Sequence, residues 1–116
     1  MISISAQTKA WAAIDPVDFR CGIDGLASLC RKILSSDPMS GHVFVFKNRR
    51  RTAIKALFYD GQGYWLCQKR LSQGKFAWWP EAGEASCGLS ARELMVLLSA
   101  GDPAGAGMRP DWRKVS

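Results

Sequence analysis

The stretch "KNRRRTAIK", residues 47–55, sets three consecutive arginines between two runs of strand-forming residues. A guanidinium group presents paired N–H donors that match two phosphate oxygens at once, and a lysine ammonium adds a point charge. The chemistry on offer is the grip of a polyanion. From residue 47 to residue 75 the chain holds Lys47, Arg49, Arg50, Arg51, Lys55, Lys69, Arg70 and Lys75 against Asp60 alone, a net +7. The rest, with eight bases and nine acids, nets −1, so the formal charge of +6 is a local property. A one-sided basic region is the electrostatic footprint of a nucleic-acid binder. The competing reading is a solvated sheet edge, charged to stop sheets from pairing.

Arg49, Arg50 and Arg51 fall at an expected hairpin tip, and Lys69 and Arg70 lie on a strand expected to run beside it. With Lys55 and Lys75 they make seven candidate phosphate contacts: Arg49, Arg50, Arg51, Lys55, Lys69, Arg70 and Lys75. Each phosphate contact steepens the log–log salt dependence of binding by roughly −0.7 to −0.9. Tyr64, Trp65, Phe76, Trp78 and Trp79 either build the core or offer faces on which unpaired bases stack. Nothing in the chain reads as a helix-turn-helix element, so base-specific readout has no support.

Catalytic constellations do not assemble. The single histidine, His42, follows Gly41 at a strand start and reads as a surface or turn residue. Asp60 opens "DGQG" as a turn former, and Asp18 and Asp24 read as helix-capping residues. The cysteines at 21, 30, 67 and 87 form no C-x-x-C pair and have no zinc-ligand spacing. They read as free thiols, with Cys30 and Cys67 inside apolar patterns. The glycines match neither phosphate-loop fingerprint. Neither a catalytic residue, a metal nor a cofactor is expected.

The totals set the frame for those residues. The 116 residues, 47% hydrophobic and 22% charged, suit one soluble domain with a single modest core. No apolar run approaches the ~20 residues of a membrane span, and "MISISAQTKAWAA" lacks the design of a secretory signal. A cytoplasmic protein is expected, with residues 1–100 as one domain and the Gly/Pro/Ala-rich residues 101–116 as a flexible tail.

Two helices and four strands should position the cations. "GIDGLASLCRKIL", 22–34, gathers Ile23, Leu26, Leu29, Cys30, Ile33 and Leu34 near one helical face. "HVFVF", "TAIKALFY", "YWLCQKRL" and "KFAWW" read as successive strands. The middle two are joined by "DGQG", and short connections favour an antiparallel meander. Both faces of these strands carry apolar groups, leaving open which one is buried. "LSARELMVLL", 89–98, opens on the capping box Ser90-x-x-Glu93, with Leu89 and Leu94 placed as a hydrophobic staple and Gly101 as the stop. The fold class is α+β: an antiparallel sheet of about four strands with an N-terminal and a C-terminal helix packed on it.

The ordered series "PVDFRCGIDGLASL", "DPMSGHVFVFKNRRRTAIKALFYDGQGYWLCQKRLSQGKFAWWP" and "LSARELMVLL" resembles the accessory protein called TnpB, or Orf2-like, of the insertion-sequence-sixty-six family of bacterial transposable elements. The likeness runs from about Pro16 to Leu98. It departs at Cys21, where a basic residue is common, and in the glycine-rich tail. The resemblance implies a part in transposition beside a separate transposase that carries the catalytic acids, and it supplies no catalytic residue for this chain. Two readings follow. One is a non-catalytic factor that binds DNA, the transposon ends, through phosphates. The other is an adaptor that binds the transposase or a companion accessory protein without touching DNA. An enzyme requires folding to bring His42 beside a cysteine, or two acids around one cation.

Overall fold

The computed structural model describes Ser5, residues 7–81 and residues 85–99. The elements run β1 (Ala10–Ala13), α1 (Ile23–Lys32), β2 (Val43–Lys47), β3 (Ala53–Tyr59), β4 (Tyr64–Arg70), β5 (Ser86–Leu89) and α2 (Ala91–Leu98). One sheet has the order β4-β3-β2-β1-β5. β2, β3 and β4 form the expected antiparallel meander. The sheet as a whole is mixed and five-stranded, because β1 lies parallel to β2 and β5 lies antiparallel to β1.

Two parts of the sequence reading need correction. "KFAWW" is not a strand. It runs as irregular chain and buries Phe76 and Trp79 against β1, β2 and β3, so its apolar residues serve packing without a ladder. The Trp79 indole donates to the Ala13 carbonyl at 2.9 Å, which satisfies the one polar side-chain atom that this burial removes from water. The other missed parts are β1 and β5, four residues each. The return from β1 to its parallel neighbour β2 passes through α1, as a parallel pair requires a long crossover.

The ambiguity of faces resolves because both are buried. On one face Leu26, Ala27 and Cys30 of α1 pack on Phe44, Phe46 and Leu57. On the other, Leu94 and Leu97 of α2 join Phe76 and Trp79 over Val43, Val45, Ile54 and Ala56. β2 is thus apolar at successive positions rather than at alternate ones. Burying each such Phe, Leu, Ile or Val side chain contributes about 1.5–3 kcal/mol.

The helix ends follow local chemistry. Ser90 accepts from the Glu93 N–H at 3.1 Å, and the Glu93 carboxylate accepts from the Ser90 N–H at 2.9 Å, completing the capping box. Leu89 and Leu94, the staple pair, share one buried cluster. At α1 neither aspartate is the cap: Gly22 holds that position with no side-chain bond. Asp24 sits in the first turn, where its charge meets the positive end of the helix dipole. Asp18 instead takes the Arg20 backbone N–H and guanidinium, and these bonds hold its carboxyl down at about 2. Gly101 and the tail lie outside the described residues.

Candidate nucleic-acid interface

The arginine run forms the β2–β3 connection, and Asn48 organises it. The Asn48 side-chain oxygen accepts from the Thr52 and Ala53 N–H groups at 2.9 and 3.1 Å, and its amide donates to the Thr52 hydroxyl at 2.8 Å. Its backbone carbonyl takes the Arg51 N–H at 3.2 Å. Arg51 adopts φ +60°, a left-handed conformation that L-residues enter at a cost of roughly 1–3 kcal/mol. The surrounding bonds offset it. Arg49 and Arg50 ride on top of this turn, exposed.

The chain after β4 braces the same turn. The Leu71 N–H donates to the Thr52 carbonyl at 2.9 Å, and the Phe76 N–H to the Arg51 carbonyl at 2.8 Å. Arg70 stands opposite Ala53 in the β3–β4 register. Arg49, Arg50, Arg70 and Lys75 therefore gather at one end of the sheet, and all four are exposed. They make no hydrogen bond or ion pair through their side chains to the described residues.

The other three expected contacts are placed differently. Lys55 is only 6% exposed. Its ammonium donates to the carbonyls of Phe19 at 2.8 Å and Cys21 at 2.9 Å, and lies 5.0 Å from the Phe19 ring centre. It anchors the loop before α1 rather than facing solvent. Arg51 is half-buried and donates to the Glu81 carboxylate at 2.8 Å. Lys69 is exposed but donates to the Leu98 carbonyl at the C-terminal end of α2, where the helix dipole favours a cation.

Strand alternation also sends Lys69 and Arg70 to opposite faces, so β4 does not add both to one surface. Lys47, counted in the basic stretch, is 9% exposed and lies over the Trp79 ring. Burial first, then the neighbouring Arg51 charge, pushes its ammonium below the ordinary lysine value.

Among the aromatics, Phe76 and Trp79 are core. Trp78 packs against the α2-side cluster, and Tyr64 against the α1-side cluster. Trp65 is the exception, 49% exposed and stacked on Phe58 at 6.3 Å. Its indole donates to Asp60 at 2.8 Å. Asp60 also takes the Gln62 and Gly63 N–H groups, which together with the indole hold its carboxyl below the usual range. Trp65 sits near the far end of β4 from Arg70, so it does not form one patch with the arginine turn.

Among the described residues, no hydrogen bond joins His42 to a cysteine. His42 Nδ1 accepts from the Trp11 indole at 3.0 Å, which uses the nitrogen a general base needs. No group of three or more His, Cys, Asp or Glu side chains among the described residues is placed to hold a metal ion. All four thiols are free. Burial pushes Cys30 up to about 11, which makes it a poor nucleophile. No described helix is long and apolar enough to cross a membrane.

Sequence reasoning missed Glu81 as the Arg51 partner and Asn48 as the organiser of the turn. Only the second left a signal, an Asx residue immediately before a turn.

Comparison with known proteins places these features in a lineage. The family described as "IS66 Orf2 like protein" matches residues 8–106, a span that includes all five described strands and both described helices. The uncharacterized protein y4hO of Sinorhizobium fredii is 35% identical over 99 residues, covering 85% of each chain. The uncharacterized protein y4jC of the same organism is 34% identical over 115 residues, 99% of this chain and 90% of that one. No solved structure matches. The chain belongs to the IS66 Orf2-like family, and that membership points to an accessory part in transposition.

Proposed function

We propose that this protein is a non-catalytic accessory factor of a bacterial insertion sequence that binds DNA through its phosphates, beside a separate transposase. The observation that carries the reading is the gathering of Arg49, Arg50, Arg70 and Lys75, exposed and unpaired within the described residues, around a braced turn. A rigid tip loses little entropy on binding, and forked guanidinium donors suit a phosphate rail. Lys55 leaves the list of contacts. Arg51 and Lys69 become supporting residues that fix the turn and the end of α2. Contacts of this kind position a protein without reading bases, so sequence discrimination is expected to be weak. The protein would act with the nucleoid, in the cytoplasm.

A gel-shift titration with duplex DNA from the element ends, at several salt concentrations, tests this. The native chain shifts the duplex in a salt-dependent way, and the Arg49→Ala/Arg50→Ala variant weakens the shift and its salt dependence while keeping its circular-dichroism spectrum. A native chain that leaves the duplex unshifted at low salt, yet co-purifies with the transposase, overturns DNA binding in favour of an adaptor.

A further inference from the structure

β4 ends the sheet with an outer edge that no described strand pairs. Which backbone groups point outward follows from its ladder. The Leu71 N–H bonds the Thr52 carbonyl and the Asp60 N–H bonds the Gly63 carbonyl, bracketing the register Ala53↔Arg70 to Tyr59↔Tyr64. Bonded positions alternate along an antiparallel pair. Trp65, Cys67 and Lys69 are therefore tied to β3, whereas Tyr64, Leu66, Gln68 and Arg70 direct both N–H and C=O away from it.

We infer that this edge is a self-pairing surface: two copies of the chain join β4 to β4 antiparallel about a two-fold axis at Cys67, making one continuous ten-stranded sheet. That register sets Tyr64 opposite Arg70 of the second copy and Leu66 opposite Gln68, so all eight outward N–H groups of the two strands find carbonyls. Shifting the axis to Leu66 or to Gln68 leaves Arg70 or Tyr64 without a strand partner.

Charge selects the same arrangement. Natural edge strands carry lysines and arginines to stop pairing, but here the cations occupy one end only. Parallel self-pairing sets Lys69 and Arg70 beside their own copies. The centred antiparallel register instead sets Lys69 opposite Trp65 and Arg70 opposite Tyr64, cation against aromatic face. It also sets the second copy beside Trp65, which stays 49% exposed although it stacks on Phe58. This surface shares only Arg70 with the proposed DNA contact, and Arg49, Arg50 and Lys75 lie outside it.

Proline at position 68 tests the inference cleanly. The Gln68 N–H faces outward and its side chain is exposed, so Gln68→Pro spares the β3 ladder and the core. Sedimentation of the native full chain should show a dimer. Gln68→Pro should weaken it by roughly 5- to 150-fold, the cost of two lost hydrogen bonds.

A second measurement needs no variant. At the axis the two Cys67 Cα atoms stand about 4.5 Å apart, within the range of about 4.4–6.8 Å that a disulfide spans. Copper–phenanthroline should take two electrons from the two thiols, release two protons, and give a Cys67–Cys67 crosslink identified by peptide mass mapping. A chain that stays monomeric across the concentration series overturns the inference. So does a dimer that Gln68→Pro leaves unchanged, or one whose crosslink joins other cysteines.

Discussion

The seven basic residues between 49 and 75 make different predictions once their surroundings are known, and salt dependence separates them. Four are exposed and unpaired within the described residues: Arg49, Arg50, Arg70 and Lys75. If each meets one duplex phosphate, the log–log slope is about −3.6, at roughly −0.9 per contact. Raising salt from about 50 to about 200 mM then weakens binding roughly 150-fold. Arg49→Ala/Arg50→Ala halves the contacts, which brings the slope to about −1.8 and the loss over the same range to roughly 12-fold. Lys55→Met deletes a full charge from the same stretch but should leave the slope at the native value, since its ammonium is enclosed by the Phe19 and Cys21 carbonyls. Its effect should fall on stability instead, a loss of about 2–4 kcal/mol for two part-buried carbonyls left unpaired. Fluorescence anisotropy with a labelled duplex measures the slopes, and urea unfolding measures the stability. A slope that survives the double alanine variant, or that Lys55→Met lowers by as much as one tip arginine does, refutes the assignment of the phosphate contacts.

Further outcomes follow from the caps, the turn and the thiols. Ser90→Ala removes the acceptor of the Glu93 N–H and should cost about 1 kcal/mol, a fall in Tm of about 4–8 °C by calorimetry. The Asp60 carboxyl is held below its ordinary value, so the turn it stabilises is fully supported above about pH 4 and weakens as pH falls toward the folded value. Trp65 fluorescence should report that transition, and Asp60→Ala should abolish it. Cys30, pushed up to about 11 and buried, should resist iodoacetamide at mildly alkaline pH in the native state, and should react at the rate of the other three once urea unfolds the chain.

The parts of the fold that local chemistry specifies were legible. Ser90 and Glu93 announced α2, and "DGQG" announced the β3–β4 turn, because each motif satisfies its own neighbours. β1, "AWAA", was not legible: its strand status depends on partners at Val43 and Leu89, far along the chain, and alanine carries little strand signal. β5 contains a glycine and is only four residues long, so it too is defined by its partner. "KFAWW" failed in the opposite direction, since aromatic residues favoured in strands also fill a core without one.

The candidate site divides in the same way. The exposed tip could be read from three adjacent arginines. The enclosure of Lys55 could not, because its partners are backbone carbonyls 36 and 34 residues away that no side-chain pattern reports.

The strand order has a consequence for synthesis. Because β1 lies between β2 and β5, and α2 is the last described helix, the chain leaves the ribosome with its sheet covered on one side before the other. Once Arg70 has emerged, α1 can already shield Phe44, Phe46 and Leu57, but Val43, Val45, Ile54 and Ala56 still await Phe76, Trp79 and the leucines of α2. A nascent copy that folded as it emerged would pass through a half-clad stage, and a message truncated there would yield a sticky fragment rather than a smaller working protein.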